Sequence, residues 1–113
     1  MQQANSSLSA KDLAERLASS TPPRLLDVRQ PEEFAIAKLP GAVLIPLGEL
    51  PTRLPELESW KNGDVPIVIH CHHGMRSLRA IEFLKLQGFR NLINLAGGID
   101  AWSLDVDPKL PRY

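Results

Sequence analysis

The segment His70-Cys71-His72-His73-Gly74-Met75-Arg76-Ser77 gathers all three histidines and the single cysteine of a 113-residue chain. A thiol set among imidazoles can ligate a metal, pack as an inert sulfur, or act as a nucleophile in an anion-binding loop. Zinc asks for three or four ligands that converge tetrahedrally. Four consecutive residues send their side chains apart, and the chain has no further Cys or His to complete a set. No metal is therefore expected. Inert packing has more in its favour, because free cysteine is among the most buried residue types.

The residues after the cysteine argue for chemistry. Gly74 accepts backbone angles that other residues resist, so the chain can curl tightly around the sulfur. A curled loop that runs into a helix turns several backbone N–H groups inward and forms an anion cradle. Arg76 adds a permanent charge with several donors, and Ser77 follows it at the start of the helix. Such surroundings favour thiolate over thiol. Taken alone, these residues favour Cys71 as a nucleophile that needs no dedicated base, with the inert sulfur as the remaining alternative. His72 and His73 contribute backbone amides to the cradle, and their rings can raise the local positive potential or relay a proton. His70 reads as a packed or capping residue at a strand end.

Elements on either side must hold this loop. Residues 67–70, with Pro66 before them, form the most β-branched run in the chain and are expected to be a central strand. Leu78, Ile81 and Leu84 share one face of the helix that follows, and Gly88 stops it. Upstream, Ala10, Leu13, Ala14, Leu17 and Ala18 recur at three- and four-residue spacing, which predicts a helix over about 9–19 capped by Ser9, with Asp12 as a weak capping-box partner. Residues 24–28 read as a buried strand ending near Asp27 to Arg29, and Pro31 opens a short helical segment. Residues 42–47 read as a second strand closed by Pro46. Pro51 and Pro55 divide the next stretch into short helical pieces. Residues 91–95 form a further strand, 96–98 a turn, and 98–102 the start of a short helix. The tail, about 105–113, is expected on the surface. Short apolar strands alternating with helices imply an α/β domain with a mainly parallel sheet, which binds ligands beyond the carboxyl ends of its strands. Cys71 lies at such an end.

Bulk composition narrows the functions. A chain of 113 residues fits one domain, with a core over about 19–106. Thirteen Lys and Arg balance thirteen Asp and Glu, whereas a nucleic-acid binder draws its affinity from excess positive charge; no nucleic acid is expected. One cysteine cannot form an internal disulfide. No stretch reaches the roughly 18 apolar residues of a membrane span, and the first residues lack the basic and apolar regions of a signal peptide. A monomer in the reducing cytoplasm is expected.

Four segments, Leu25-Leu26-Asp27-Val28-Arg29-Gln30-Pro31-Glu32-Glu33-Phe34, Leu39 to Leu47, Ile67 to Ser77, and Leu84 to Trp102, occur in an order and spacing that resemble a single-domain rhodanese, a sulfurtransferase. The resemblance covers roughly residues 24–102. It implies a three-layer α/β domain whose mainly parallel five-stranded sheet is flanked by helices, with the active loop after the central strand. It implies that Cys71 takes a sulfane sulfur from a small anionic donor such as thiosulfate and holds it as a persulfide. A thiophilic acceptor (cyanide, a thiol or a protein) then removes the sulfur, with no cofactor beyond that covalent intermediate. His72, His73, Gly74, Met75 and Arg76 become the active-site loop, and Arg76 the contact for donor oxygens. Asp27 and Arg29 match an Asp-x-Arg element that braces the loop, joined by Glu33 and supported by Ser77. Gly97, Gly98 and Trp102 match a structural closing motif. One departure is visible. Ala37, Lys38, Leu39, Pro40, Gly41 and Ala42 stand where the family commonly reads Gly-His-Ile-Pro-Gly-Ala, which puts the packing before the second strand in question.

Two rival classes share the architecture. Cdc25-type phosphatases and related arsenate reductases also place an arginine after a loop cysteine, but across five residues, where four separate Cys71 from Arg76. A smaller ring suits one sulfur atom, and a tetrahedral oxyanion needs more room. Non-catalytic rhodanese modules serve as binding domains, and they commonly lack the cysteine that is present here.

Overall fold

The computed structural model describes residues 6–61 and 63–113. Its sheet has five strands, β1 (Ser6–Leu8), β2 (Arg24–Asp27), β3 (Val43–Leu44), β4 (Ile67–His70) and β5 (Leu92–Leu95), in the order β1-β5-β4-β2-β3. Every neighbouring pair is parallel. The helices are α1 (Ala10–Leu17), α2 (Pro31–Ile36), α3 (Leu50–Arg53), α4 (Glu58–Lys61), α5 (Met75–Leu86) and α6 (Gly98–Asp105). Two 3-10 turns, Leu47–Glu49 and Leu54–Leu57, flank α3, so the prolines do divide this region into short pieces. No helix among the described residues is long and apolar enough to cross a membrane.

Strand β4 is central, and all four of its residues are buried. That is why it reads as a continuous β-branched run with no polar alternation: both faces of a parallel sheet are covered. Alternation along the strands sorts side chains into two cores. Leu26, Ile67 and Ile69 join Ile81 and Leu84 of α5 on one face, whereas Leu25 and Val68 join Leu13 of α1 and Ile99 and Trp102 of α6 on the other. Each such Leu or Ile, fully buried, contributes about 1.5–3 kcal/mol. The same alternation sends Cys71 into the α5-side core.

Two expectations change in the structure, and one strand appears that had no counterpart in the sequence reading. The second strand is only Val43–Leu44, an edge pair beside β2. The segment closes at Pro46, which has no N–H to continue a ladder. Strand β1, which has no local signature, exists through its pairing with β5 in the register Ser6↔Ile93 to Leu8↔Leu95. The stretch after α6 does more than lie on the surface: Leu110 packs against the α1/α6 core and Tyr113 reaches the loop around Cys71. Where Ala37 to Ala42 depart from the rhodanese pattern, the Ala37 carbonyl accepts a hydrogen bond from Arg29 Nη2 at 2.7 Å and Leu39 is buried.

Candidate active site

The carboxyl ends of β2, β4 and β5 meet at one level. Asp27 pairs with His70 in register, and Asn94 pairs with Ile69. Between the end of β4 and the start of α5 the chain makes the loop Cys71 to Gly74. Gly74 has φ of +120°, a conformation that side chains with a Cβ rarely adopt. Its amide donates to Cys71 Sγ at 3.0 Å. The sulfur therefore faces the N-terminus of a twelve-residue helix, whose unpaired N–H groups and dipole favour negative charge. Cys71 is 1% exposed and Met75 is 68% exposed, so the thiol sits on the floor of a loop whose rim is in solvent.

Two neighbours fix the loop. The Cys71 and His72 carbonyls accept the amides of Ile99 and Asp100, at 2.9 and 3.2 Å, from the first turn of α6. Engaging the carbonyls outward leaves the loop amides free to turn inward. Such closeness needs a glycine at position 98, because a Cβ there would lie 2.4 Å from the His72 oxygen and 2.6 Å from that of Cys71. On the other side Ser77 Oγ lies 3.7 Å from Cys71 Sγ and 2.9 Å from the Gly74 carbonyl, and it is also hydrogen-bonded to the Asn94 side chain. A hydroxyl has one proton to donate, so the Gly74 carbonyl and Asn94 Oδ1 compete for it, while the Cys71 thiol donates to Ser77 Oγ. Asn94 was not among the residues singled out from the sequence. The available signal was a polar residue near the carboxyl end of an otherwise apolar strand.

Asp27 and Arg29 form a buried pair beneath the loop. Arg29 Nη2 lies 2.6 Å from Asp27 Oδ2, and its Nε donates to both carboxylate oxygens. Neither side chain has any exposed surface. Arg29 Nη1 donates onward to the Glu33 carbonyl at 3.3 Å and to the Tyr113 hydroxyl at 2.7 Å. His70 shares their setting, with Nε2 3.9 Å from Asp27 Oδ2 and no hydrogen bond from either ring nitrogen. Burial pushes its pKa down to about 4 against the pull of Asp27, so the ring is neutral at neutral pH.

Arg76 does not point at the sulfur as a free cation. It forks onto Glu33, with Nη1 2.7 Å from Oε1 and Nη2 2.8 Å from Oε2. The Arg76 hydrogen bonds outweigh burial and hold the Glu33 carboxyl at about 2, down from 4.5. The pairing raises Arg76 in turn. The Glu33 carboxylate thus belongs directly to the loop arginine and reaches the Asp27–Arg29 pair through Tyr113, whose hydroxyl donates to Oε2 at 2.9 Å, while the Glu33 backbone carbonyl accepts from Arg29 Nη1. Tyr113 also stacks on His72, with ring centroids 4.0 Å apart and planes at 6°. His73 tilts against His72, with ring centroids 4.1 Å apart. Burial, then the neighbouring His73, lowers the His72 pKa. The described residues hold no group of three or more His, Cys, Asp or Glu that could bind a metal. A groove of about 540 Å³, lined by Leu17, Pro23, Arg24, Val43 and Trp60 among others, opens at the amino ends of the strands and includes none of the loop residues.

Comparison with known proteins gives the frame for this geometry. The family model for the rhodanese-like domain matches residues 9–105. A sulfurtransferase of Allochromatium vinosum is 35% identical over 96 residues, which cover 85% of this chain and 86% of that protein. A chloroplastic Arabidopsis thaliana protein with rhodanese-like and PpiC domains is 41% identical over 90 residues, 80% of this chain. The match spans only 30% of that longer protein. Among solved structures, a human single-domain sulfurtransferase superposes with a TM-score of 0.73 at 29% identity, covering 90% of this chain and 98% of its own.

Proposed function

The chain belongs to the rhodanese-like family, and from that premise we propose that it is a sulfurtransferase that carries sulfane sulfur as a persulfide on Cys71. The observation that carries this reading is the Gly74 amide, donating to Cys71 Sγ at 3.0 Å at the mouth of α5. A donor aimed at the sulfur stabilises charge on it, whether that charge is a thiolate or the terminal sulfur of a persulfide. Only four residues separate Cys71 from Arg76, a ring that suits one added sulfur better than a tetrahedral oxyanion. The geometry therefore favours sulfur transfer over phosphate or arsenate chemistry.

The transfer runs in two displacements. The Cys71 thiolate attacks the outer sulfur of a donor such as thiosulfate. The donor S–S bond breaks, sulfite leaves with the electron pair, and Cys71 holds the persulfide anion. A thiophile, either cyanide or the thiolate of a small molecule or protein, then attacks the terminal sulfur. The Cys71 S–S bond breaks, and thiocyanate or a new persulfide departs as the thiolate is restored. His72, His73, Gly74 and Met75 supply the cradle, Arg76 supplies positive charge to an anionic donor once Glu33 yields it, and Ser77 can turn its proton to the sulfur. Asp27 and Arg29 brace the floor and touch no substrate.

Intact mass spectrometry tests this directly. After exposure to thiosulfate the chain should gain one sulfur atom, and cyanide should remove it. Cys71→Ser should gain none, because serine has no adjacent base to ionise its hydroxyl. A wild-type chain that takes up no sulfur from thiosulfate or from an organic persulfide would overturn the reading.

A further inference from the structure

Tyr113 lies 80 positions from Glu33 in sequence, yet its hydroxyl sits between Glu33 and Arg29. The polarity of that bridge is fixed by chemistry. A guanidinium can only donate, so the Tyr113 oxygen accepts from Arg29 Nη1 and its own proton is left for Glu33 Oε2. An unbroken series results: Asp27 accepts from Arg29, Arg29 donates to Tyr113, Tyr113 donates to Glu33, and Glu33 accepts from Arg76. A hydroxyl polarised by a cation is a stronger donor than an isolated one.

Three anchors hold the segment that delivers Tyr113. Leu110 packs against the α1/α6 core. Arg112 pairs with Asp100 at 2.9 Å, and the Asp100 amide in turn holds the His72 carbonyl. The Tyr113 ring stacks on His72 itself. Glu33 is pinned from two sides, because the Gln30 amide donates to Oε1 at 2.9 Å and Tyr113 to Oε2. Both oxygens are thereby aimed at the arginine fork.

We propose that Tyr113 is a positioning residue that sets the affinity of the loop for anions: its hydroxyl clamps Glu33 onto Arg76, so an incoming anion must compete with a held carboxylate for the loop's arginine. The clamp makes the loop selective. A donor that brings only the transferable sulfur meets the Gly74 amide without disturbing the ion pair, whereas one that also brings oxyanion charge needs Arg76 released. Loosening Glu33 should raise the reactivity of Cys71 toward anions relative to neutral reagents of the same size. This inference takes from the sulfurtransferase reading only the identity of the natural anion.

Cys71 is the chain's single thiol, so its alkylation by iodoacetate, an anion, and by iodoacetamide, a neutral near-isostere, can be followed by mass at one pH. The ratio of the two rates reports anion recruitment and cancels changes in thiolate availability. Tyr113→Phe keeps the ring on His72 and removes the hydroxyl. It should raise the iodoacetate-to-iodoacetamide ratio by about three- to ten-fold, the effect of one hydrogen bond of ordinary net strength. Glu33→Gln should raise it at least as far, and Tyr113→Phe should add nothing on that background. An unchanged or lower ratio in Tyr113→Phe overturns the proposal, as does a full effect of Tyr113→Phe in the absence of Glu33. Sulfur uptake measured on the same wild-type sample separates the two ideas, since a chain that takes up no sulfur but shows the ratio change refutes sulfur transfer and retains the clamp.

Discussion

The α carbon of Gly98 faces the His72 carbonyl so closely that a Cβ at position 98 would lie 2.4 Å from its oxygen. The contact is backbone to backbone, so no side chain can rotate away to relieve it. Gly98→Ala must therefore push the first turn of α6 off the loop, and with it the two amides that hold the Cys71 and His72 carbonyls outward. Sulfur loading of Cys71 should fall at least ten-fold, which corresponds to a loss of about 1.4 kcal/mol of transition-state stabilisation. Stopped-time mass measurements on a folded variant check this. Wild-type loading rates in Gly98→Ala would mean that α6 does not shape the cradle.

The Ser77 proton has two claimants, the Gly74 carbonyl and Asn94, while the Cys71 thiol donates to the Ser77 oxygen. A thiolate or persulfide is the stronger acceptor, so the proton should turn to sulfur once charge develops there. Ser77→Ala removes that option and should slow both sulfur uptake and cyanide release by roughly ten-fold, in line with a hydrogen bond to a charged group at the weak end of its range. Asn94→Ala, which frees the hydroxyl from a competitor, should have a smaller effect. Equal rates for wild type and Ser77→Ala in both half-reactions would exclude the hydroxyl from the chemistry.

How far the sequence carried can be judged from individual residues. Strand β4 and helix α5 were legible because their signals are local: a β-branched run, a glycine, then apolar residues at helical spacing. Ser9 was legible for the same reason, and its Oγ accepts the Asp12 amide at 3.1 Å. Strand β1 was not. Its residues, Ser6-Ser7-Leu8, carry no alternation, and only pairing with a strand more than 80 positions away makes them a strand. The cysteine loop could be read for the same local reasons, whereas the state of Arg76 could not. Its partner Glu33 is 43 positions away and the clamp on that partner comes from Tyr113. Side-chain pairing across such separations leaves no periodic trace.

The Asp27–Arg29 pair has no exposed surface, and Arg29 is among the largest fully buried side chains of the chain. Removing one member of a buried pair strands the other's charge and costs about 3–5 kcal/mol. Asp27→Ala should accordingly lower the urea midpoint sharply. Arg29→Leu, which leaves the Asp27 carboxylate buried without its partner, should lower it as well. Urea titrations of the two variants provide the check. A loss under 1 kcal/mol for Asp27→Ala would mean that the pair does not brace the floor of the site.

His70 gives the fold an acid-sensitive component. Burial lowers its pKa to about 4 in the folded chain, against the upward pull of Asp27 on β2 and with Arg29 opposing protonation. Unfolded, the imidazole titrates near 6.5. Between those values the unfolded chain binds the additional proton, so stability falls as pH drops through this interval and is fully present above about 6.5. Integrating the difference gives a loss of about 2 kcal/mol between pH 7 and pH 4.5. Glu33 acts in the same direction only lower, from about 4.5 toward 2, so the two contributions separate on a pH axis. His70→Leu removes the titrating ring and, because neither ring nitrogen makes a hydrogen bond, leaves no partner stranded. Its stability should change between pH 7 and pH 4.5 by about 2 kcal/mol less than that of the wild type, by urea unfolding at each pH. Parallel pH profiles for the two proteins would show that His70 is not held neutral by its burial.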